Sequence, residues 1–185
     1  MLKEIYRETE QKMDKAVEAI GRELAGIRTG KATTTILDGV KVEYYGAITP
    51  LKQVASVSAP DPKLLVVQPW EKNIVGDVVK AIQKADLGLN PVTEGNVIRL
   101  PIPPLNEERR REMVKLVKKF GEDSKVSIRN IRRDSIEKLK KAEKASEISE
   151  DDFHNAQKHI QEITDNHISG IGKMIEAKEA EVMEV

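Results

Sequence analysis

The chain has 185 residues and carries 31 basic and 31 acidic side chains, so its formal net charge is zero. It contains no cysteine, which excludes disulfides, thiolate zinc sites and cysteine nucleophiles. Because the amino terminus is polar and no apolar run approaches the ~20 residues of a membrane span, we expect a soluble, cytoplasmic protein without a signal peptide or membrane partner.

The first 28 residues predict one amphipathic helix. Apolar or small side chains recur at spacings of three or four and form a single stripe: Leu2, Ile5, Thr9, Met13, Ala16, Ile20, Leu24 and Ile27. Gly30 follows the stripe, and glycine commonly ends a helix, so we expect the helix to stop there.

Residues 30–104 have a different character, because all eight prolines of the chain lie between Pro50 and Pro104. Short β-rich runs occur at residues 40–45, 54–57, 64–68 and 97–100, with turn signals between them. One helix is predicted from the spacing of Ile74, Val78 and Ile82. We therefore predict a small β/α/β domain, in which Trp70 packs inward and one of Tyr44 and Tyr45 is buried.

Helical periodicity returns after the prolines and persists to the end of the chain. The second long helix has a stripe of Met113, Val117, Phe120, Ser124, Ile128, Ile131, Ser135, Leu139 and Ala142. A break follows at residues 146–149, where Ser149 and Asp152 predict an N-terminal capping box. The last helix has a stripe of Phe153, Ala156, Ile160, Ile163, His167, Ile171, Met174 and Val182.

Three long helices with one apolar stripe each must bury those stripes against one another. We therefore predict an α+β fold: an elongated antiparallel three-helix bundle (residues 1–29 and 105–185) with the β/α/β domain (residues 30–104) inserted in it. Two short connections join the domains, at residues 28–31 and 101–105, and we expect both to act as hinges. The candidate hinge residues are Thr29, Gly30, Pro101, Pro103 and Pro104.

Charge is segregated along this neutral chain. Residues 106–145 carry fourteen basic and eight acidic groups, a net of +6, whereas residues 146–185 carry three and ten, a net of −7. On the second helix a row of cations, called here the basic stripe, lies opposite the apolar stripe and extends about 33 Å. It consists of Arg111, Lys115, Lys118, Lys125, Arg129, Arg132 and Arg133, with Glu122 as the acid within it.

The basic stripe predicts binding to nucleic acid backbone, because arginine pairs with phosphate through two parallel hydrogen bonds. Few aromatic residues accompany it, which favours recognition of backbone and shape over base stacking. Two other interpretations remain open at this point. The stripe could be an ordinary solvated face, or the acidic last helix could neutralise it inside the bundle.

No pattern in the chain indicates catalysis or metal binding. His154, His159 and His167 are spaced five and eight apart, which differs from the i,i+4 spacing of helical metal ligands. We expect no catalytic residue, no metal and no cofactor. A binding factor for RNA and a coiled-coil chaperone or adaptor are the two remaining classes, and only the first is expected to show steep salt dependence.

The chain resembles the bacterial ribosome recycling factors, also called ribosome-releasing factors. Six stretches distributed over its whole length carry the resemblance: IRTG at 27–30, VEYYG at 42–46, DLGLNP at 86–91, IRLPIPPL at 98–105, EERR at 107–110 and RNIRRD at 129–134. The resemblance implies an L-shaped monomer that mimics the outline of tRNA. It also implies a non-enzymatic factor that splits the post-termination ribosome together with elongation factor G and GTP, releasing mRNA and tRNA.

The resemblance also suggests which residues contact ribosomal RNA of the large subunit. Arg132 and Arg129 are the first candidates, followed by Arg110 and Arg28. Lys31 stands where an arginine is common in the family, which keeps the charge but removes bidentate contact.

Overall fold

The computed structural model describes residues 1–184 as two compact units. The bundle unit comprises Met1–Ile27 and the chain from Arg111 onwards, and the sheet unit comprises Arg28–Arg110. Long helices make up the first and a small mixed α/β structure the second, so the α+β class predicted from the sequence is confirmed. Within the described residues, no helix is long and apolar enough to cross a membrane.

The three long helices are α1 (Leu2–Ala25), α3 (Glu107–Lys144) and α4 (Glu150–Met183). The helix predicted over residues 1–28 is shorter in the structure: α1 ends at Ala25, where the Gly26 amide donates to the Arg22 carbonyl at 3.3 Å and the Ile27 amide donates to the Leu24 carbonyl at 3.1 Å. Glycine at residue 26 follows the last turn, and its flexibility makes continuation of the helix costly.

The capping box predicted for α4 is confirmed. Ser149 Oγ accepts a hydrogen bond from the Asp152 amide at 3.0 Å, and the Asp152 carboxylate accepts one from the Ser149 amide at 3.3 Å. Hydrogen bonds from the Ser149 hydroxyl and amide hold the pKa of Asp152 below its ordinary value. The box satisfies amides that have no partner inside the helix, and so it fixes where α4 begins.

Helices α1 and α4 run in the same direction. The rings of Tyr6 and His159 lie 4.4 Å apart edge to face, and further along the same pair of helices His167 Nε2 lies 2.8 Å from the Asp14 carboxylate. Nδ1 of His167 lies 2.7 Å from the carbonyl oxygen of Ile163, so this histidine lies at the boundary of the core. Residue numbers therefore increase together along the two helices. Helix α3 runs antiparallel to α4, since Arg132 contacts Gln161 and Gly121 contacts Ile175, and it is therefore antiparallel to α1 as well.

Two apolar clusters form the core of the bundle unit. The larger contains Met13, Ile20, Leu24, Ile27, Val117, Ile128, Ile163, Ile171, Ile175 and Val182, and the smaller contains Leu139, Phe153, Ala156 and Ile160. Three buried hydroxyls accompany these clusters, from Thr9, Ser135 and Thr164. Thr9 Oγ1 and Ser135 Oγ are 2.7 Å apart, so one of these two hydroxyls donates to the other and the second donates to a carbonyl four residues back on its own helix. Thr164 Oγ1 donates to the carbonyl of Ile160 at 2.7 Å.

Helices α3 and α4 approach closely at Gly121. A Cβ built on this residue would stand 1.8 Å from Cδ1 and 2.9 Å from Cγ1 of Ile175. Ile175 is β-branched and stiff within a helix, so its side chain has little freedom to move away. The glycine therefore belongs to the core although it contributes no side chain, and the predicted apolar stripe of α3 did not include it.

Glu8 of α1 holds two ammonium groups on the surface of the bundle. Its carboxylate lies 2.8 Å from Lys12 Nζ and 2.7 Å from Lys138 Nζ of α3. Hydrogen bonds from Lys12 and then from Lys138 lower the pKa of the Glu8 carboxyl from 4.5 to about 2. The same carboxylate raises the pKa of Lys12. This cluster joins α1 to the side of α3 that faces it.

The sheet unit contains a four-stranded antiparallel sheet in the order β3 (Ala55–Asp61), β4 (Leu64–Pro69), β6 (Val97–Pro101) and β5 (Val92–Glu94). A separate hairpin pairs β1 (Lys41–Tyr44) with β2 (Ala47–Pro50). Helix α2 (Val75–Lys84) packs on β1 and β6. Side chains from all three parts, including Val42, Leu65, Val78 and Ile98, form one buried core.

The four strands predicted in this unit are present, whereas β2 and β5 were missed. β2 contains a proline and β5 is three residues long, so neither shows the β-rich alternation of a central strand. The hairpin turns at Tyr45 and Gly46, both with positive φ of 46° and 79°. Such a pair of left-handed residues is the usual two-residue turn of a hairpin.

Tyr44 and Tyr45 share one carboxylate. Tyr44 is half-buried and Tyr45 is 74% exposed, so the two side chains alternate as predicted but neither is buried. Their hydroxyls donate to the two oxygens of Glu71 at 2.6 and 2.8 Å, and these bonds lower the pKa of Glu71.

The expectation that Trp70 packs inward is wrong, because its side chain is 66% exposed. Its amide bonds to the carbonyl of Val54, which fixes the backbone and leaves the ring outside.

Replacing Gly121 with alanine is expected to destabilise the bundle unit by about 1–3 kcal/mol, because the new methyl group overlaps Ile175 in a packed core. Urea unfolding followed by circular dichroism measures this free energy. The matched control is Gly172→Ala on α4, where a Cβ meets nothing within 4 Å. That variant is expected to be stabilised by up to about 1 kcal/mol, since alanine favours helix over glycine. Equal effects in the two variants would contradict the close approach.

Replacing Glu8 with glutamine is expected to lower stability in a pH-dependent way. Because the pKa of Glu8 is lowered from 4.5 to about 2 on folding, its stabilisation is complete above pH 4.5 and is lost as the pH falls to about 2. The melting temperatures of wild type and Glu8→Gln should therefore differ at pH 7 and converge near pH 2. Glu10→Gln, also exposed on α1, serves as the control and should show no such convergence.

Candidate nucleic-acid interface

The apolar side of α3 determines where its cations lie. Val117, Ile128 and Leu139 are fully buried against the other two helices, so positions on the opposite side of α3 face water. Five of the seven residues of the basic stripe are exposed: Arg111, Lys115, Lys118, Arg129 and Arg133. Within residues 1–184, the last four make no ion pair. They form a row of uncompensated positive charge along one rigid helix.

The other two members of the basic stripe are half-buried, which the sequence analysis did not anticipate. Lys125 keeps 23% of its side chain exposed and lies 3.6 Å from Glu122, the acid within the stripe. Arg132 is also half-buried, and its Nη1 donates a hydrogen bond of 3.1 Å to Gln161 Oε1 on α4. At 100° per residue both positions lie on the edge of the stripe nearest the core, where their aliphatic stems pack and their charged ends reach water.

The acids of α4 do not neutralise the basic stripe through the ion pairs that the structure describes. Glu150 lies 3.7 Å from His154, Glu162 lies 3.9 Å from His159, and Glu181 lies 3.2 Å from Lys178. All three contacts lie within α4 itself, at i,i+3 or i,i+4 spacing. The interpretation of the stripe as the internal partner of the acidic helix therefore loses its main support.

A groove lies between α3 and α4 beside the basic stripe. Its lining, here named the α3–α4 groove, consists of Arg132, Arg133, Ile136, Glu137, Lys140, Gln157 and Gln161. Glu137 lies 3.2 Å from Lys141 and is paired with it. Three cations and two amides therefore border the groove together with Ile136, a combination that suits a phosphate backbone and the ribose edges beside it.

Three residues of this groove were missed by the sequence analysis. Lys140 stands one heptad after Arg133, and seven residues bring a side chain back to within about 20° of the same face. That spacing was a usable signal. Gln157 and Gln161 carry no charge and lie on the acidic helix, so only the packing of α4 against α3 places them here.

Arg28, Arg110 and the candidate hinge residues lie in the sheet unit. The guanidinium of Arg28 covers the backbone of Gly88, where an added Cβ would stand 3.1 Å from Nη1. Thr29 is buried, and Gly30 has a φ of 76° with Leu105 beside it. Arg28 is thus held by a local contact within the sheet unit, whereas Arg110 lies on α3 one residue before Arg111.

The proline-rich connection is partly ordered by the sheet. Pro101 is the last residue of β6 and pairs with Leu64, and the Ile102 amide donates to the carbonyl of Lys63 at 2.8 Å. Pro103 and Pro104 follow and line a pocket with residues 28–31. The hydrogen bonding of this connection to the sheet therefore ends at Ile102.

The three histidines lie apart from one another along α4, next to Glu150, Glu162 and Asp14. Among residues 1–184 no group of three or more histidine, cysteine, aspartate or glutamate side chains is arranged to hold a metal ion. The polar residues of the α3–α4 groove are three cations, two amides and Glu137, and the cations and amides can donate hydrogen bonds to an anion.

The model of one protein family, described as Ribosome recycling factor, matches residues 20–183. Two curated relatives are the ribosome-recycling factors of Bacillus pumilus and Halalkalibacterium halodurans. They are 49% and 52% identical to this chain over 185 residues, and each match covers 100% of both chains.

Two solved structures are similar over the whole chain. One is the solution structure of a ribosome recycling factor, with 44% identity and a TM-score of 0.81, covering 100% of this chain and 98% of that one. The other describes the T. thermophilus ribosome recycling factor and E. coli elongation factor G bound to the E. coli post-termination complex. It has 47% identity and a TM-score of 0.69, and the match covers 100% of both chains.

Proposed function

This chain belongs to the ribosome recycling factor family, and we propose that it binds the large ribosomal subunit of the post-termination complex through the basic stripe of α3. The family consists of translation factors and not of enzymes. The proposed binding groups are the seven cations of the stripe, with Arg129 and Arg132 central, and with Arg110 and Arg28 as further contacts from the sheet unit.

The observation that carries this proposal is the row of exposed cations without ion pairs. Lys115, Lys118, Arg129 and Arg133 have no acidic partner in the described chain, so bringing them against phosphate breaks no existing salt bridge. The opposite side of α3 packs in the core of the bundle unit. The backbone that carries these cations is therefore already ordered and loses little conformational entropy on binding. Displacement of counterions from the RNA then supplies much of the affinity.

Elongation factor G is the proposed protein partner. The similar solved structure of a ribosome recycling factor with elongation factor G on the post-termination complex supports this choice. In our proposal the factor binds first, and GTP hydrolysis by elongation factor G then drives separation of the subunits with release of mRNA and tRNA. The chain itself supplies no catalytic group, cofactor or metal, and it acts as a monomer in the cytoplasm.

The two units are proposed to be domains that rotate about two hinges, at residues 28–31 and 101–105. Gly30 supports this assignment because its positive φ is a conformation that other residues adopt only with strain. A second support is the shortness of both connections, which limits separation of the units but permits rotation. Rotation would let the bundle unit stay on the RNA while the sheet unit follows elongation factor G.

Replacing Arg129 with alanine is expected to weaken binding to purified large subunits by about ten- to hundredfold, the loss expected for a charge-assisted hydrogen bond. The slope of log affinity against log salt should fall by about one, because one phosphate contact is removed. Binding is measured by co-sedimentation over a salt series.

Lys173→Ala on α4 is the matched control for that experiment, since it removes one exposed positive charge outside the basic stripe. Its affinity and salt slope should stay close to those of wild type. Melting temperatures of both variants should be unchanged. Full binding by folded Arg129→Ala would contradict the assignment of the stripe.

Cross-linking the two connections should preserve binding and abolish subunit splitting. A Cβ on Gly30 stands 3.9 Å from Leu105 Cβ, within the roughly 3.5–4.5 Å found in disulfides. The chain has no cysteine, so this is the only disulfide that the double variant Gly30→Cys, Leu105→Cys can form within one molecule, and oxidation at low protein concentration followed by isolation of the monomer removes disulfides between molecules. Splitting is followed by light scattering in the presence of elongation factor G and GTP.

The reduced form of the same double variant is the control, because it contains the same substitutions and the same strain at residue 30. Reduction should restore splitting. If the oxidised form splits ribosomes as fast as the reduced form, restriction of the two connections has no consequence for function and the hinge proposal is wrong.

A further inference from the structure

We propose that Gln161 and Asp165 of the acidic helix α4 position the guanidinium of Arg132 for a phosphate of ribosomal RNA in the α3–α4 groove. This inference rests on the proposed function. It assigns to α4 a part in RNA binding that its charge alone would argue against. Neither residue needs to touch the RNA.

Two hydrogen bonds in series connect the three side chains. Arg132 Nη1 donates to Gln161 Oε1 at 3.1 Å, and Gln161 Nε2 donates to Asp165 Oδ1 at 2.8 Å. Arginine can only donate and an ionised carboxylate can only accept, so both partners demand the same orientation of the amide. If the amide of Gln161 were flipped, its N–H group would face the N–H donor of Arg132 and its oxygen would face the carboxylate of Asp165, so neither hydrogen bond could form.

The arrangement leaves the useful edge of Arg132 available. Of the five N–H donors of a guanidinium, one is engaged by Gln161, and within residues 1–184 Arg132 has no other partner. The Nε–Nη2 edge carries two parallel donors and remains open for bidentate contact with phosphate. Arg133 and Lys140 line the same groove and add positive charge beside that edge.

Positioning of this kind saves entropy on binding. A free arginine side chain loses several rotamers when it grips a phosphate, whereas Arg132 is already half-buried and held at its tip. The neighbouring stripe residues Arg129 and Arg133 are exposed and have no such restraint. Arg132 therefore differs from Arg129 and Arg133 in that its contact with α4 determines its direction.

Asp165 provides the sharpest test, because simple electrostatics and the positioning role predict opposite results. A carboxylate near an RNA site repels phosphate, so removing it should strengthen binding if charge were all that mattered. If Asp165 instead fixes Gln161, then Asp165→Ala should weaken binding by roughly threefold to tenfold, as expected when a hydrogen bond to a charged group loses its support. Glu162→Ala is the matched control, since it removes the same charge from α4 without touching Gln161.

The experiment measures binding of the full chain to purified large subunits over a salt series. Gln161→Leu is expected to lower affinity to the same degree as Asp165→Ala while keeping the wild-type salt slope, because the cation is still present. Arg132→Ala is expected to lower both the affinity and the slope. In the Arg132→Ala background, Gln161→Leu should cost nothing further, since Gln161 acts only through that arginine.

A readout on the free protein separates positioning from a general loss of fold. The Nε–H group of Arg132, observed by NMR relaxation, should become more mobile in Gln161→Leu and Asp165→Ala but not in Glu162→Ala. Melting temperatures of all variants should stay close to that of wild type.

Three results would overturn the inference. Gln161→Leu could cost as much in the Arg132→Ala background as alone, which would mean that Gln161 contacts RNA itself or supports the fold. Asp165→Ala could strengthen binding, or Arg132→Ala could leave it unchanged. In each case Arg129→Ala reports separately on the proposed function: weakened binding there would keep the basic stripe as the RNA site while the positioning role is rejected.

Discussion

Helix α3 buries a single side against both α1 and α4, and the rest of the bundle unit follows from that constraint. Val117, Ile128 and Leu139 are fully buried on this side. Because a helix rotates by about 100° per residue, burying one side leaves an opposite side that no other helix can cover. The cations on that side are therefore held in register by the core beneath them, and rigidity and exposure come from the same packing.

Two features fix the position of α3 along its neighbours. The buried contact of Thr9 Oγ1 with Ser135 Oγ at 2.7 Å joins α1 to α3, and a shift of one helix along the other would separate these two hydroxyls. The close contact of Gly121 with Ile175 acts further along, since another turn of α3 at this place would bring a Cβ into the isoleucine. Contacts of this kind favour one alignment of α3 with α1 and α4 over other alignments that would bury a similar apolar area.

The sequence revealed the helices more completely than the sheet. Apolar side chains repeated every three or four residues over many turns of α1, α3 and α4, and a long repeat averages out single exceptions. β2 and β5 are too short to show alternation, and Trp70 is exposed because a backbone hydrogen bond holds its segment at the surface. The tendency of tryptophan to be buried is an average over many proteins, whereas the exposure of Trp70 depends on the residues around it.

The candidate site was predictable only in part, because contacts between two elements do not show in the sequence pattern of either one. Charge and periodicity identify the seven cations of the basic stripe, because all seven lie on one helix. Gln161 carries no charge and lies on another element, so its contact with Arg132 exists only once α3 and α4 have packed. The orientation of an arginine is a property of two helices and cannot be read from either one.

Segregation of charge in a neutral chain has a further consequence for encounters in the cell. With 31 positive and 31 negative groups, the whole molecule has no net attraction to a distant polyanion. The excess of cations on α3 and of acids on α4 instead gives it a large dipole, which feels a torque once it is within about one Debye length, roughly 8 Å, of an RNA surface. If the basic stripe binds RNA as proposed, this torque orients the molecule at the RNA surface before contact, while the zero net charge keeps its attraction to distant RNA weak.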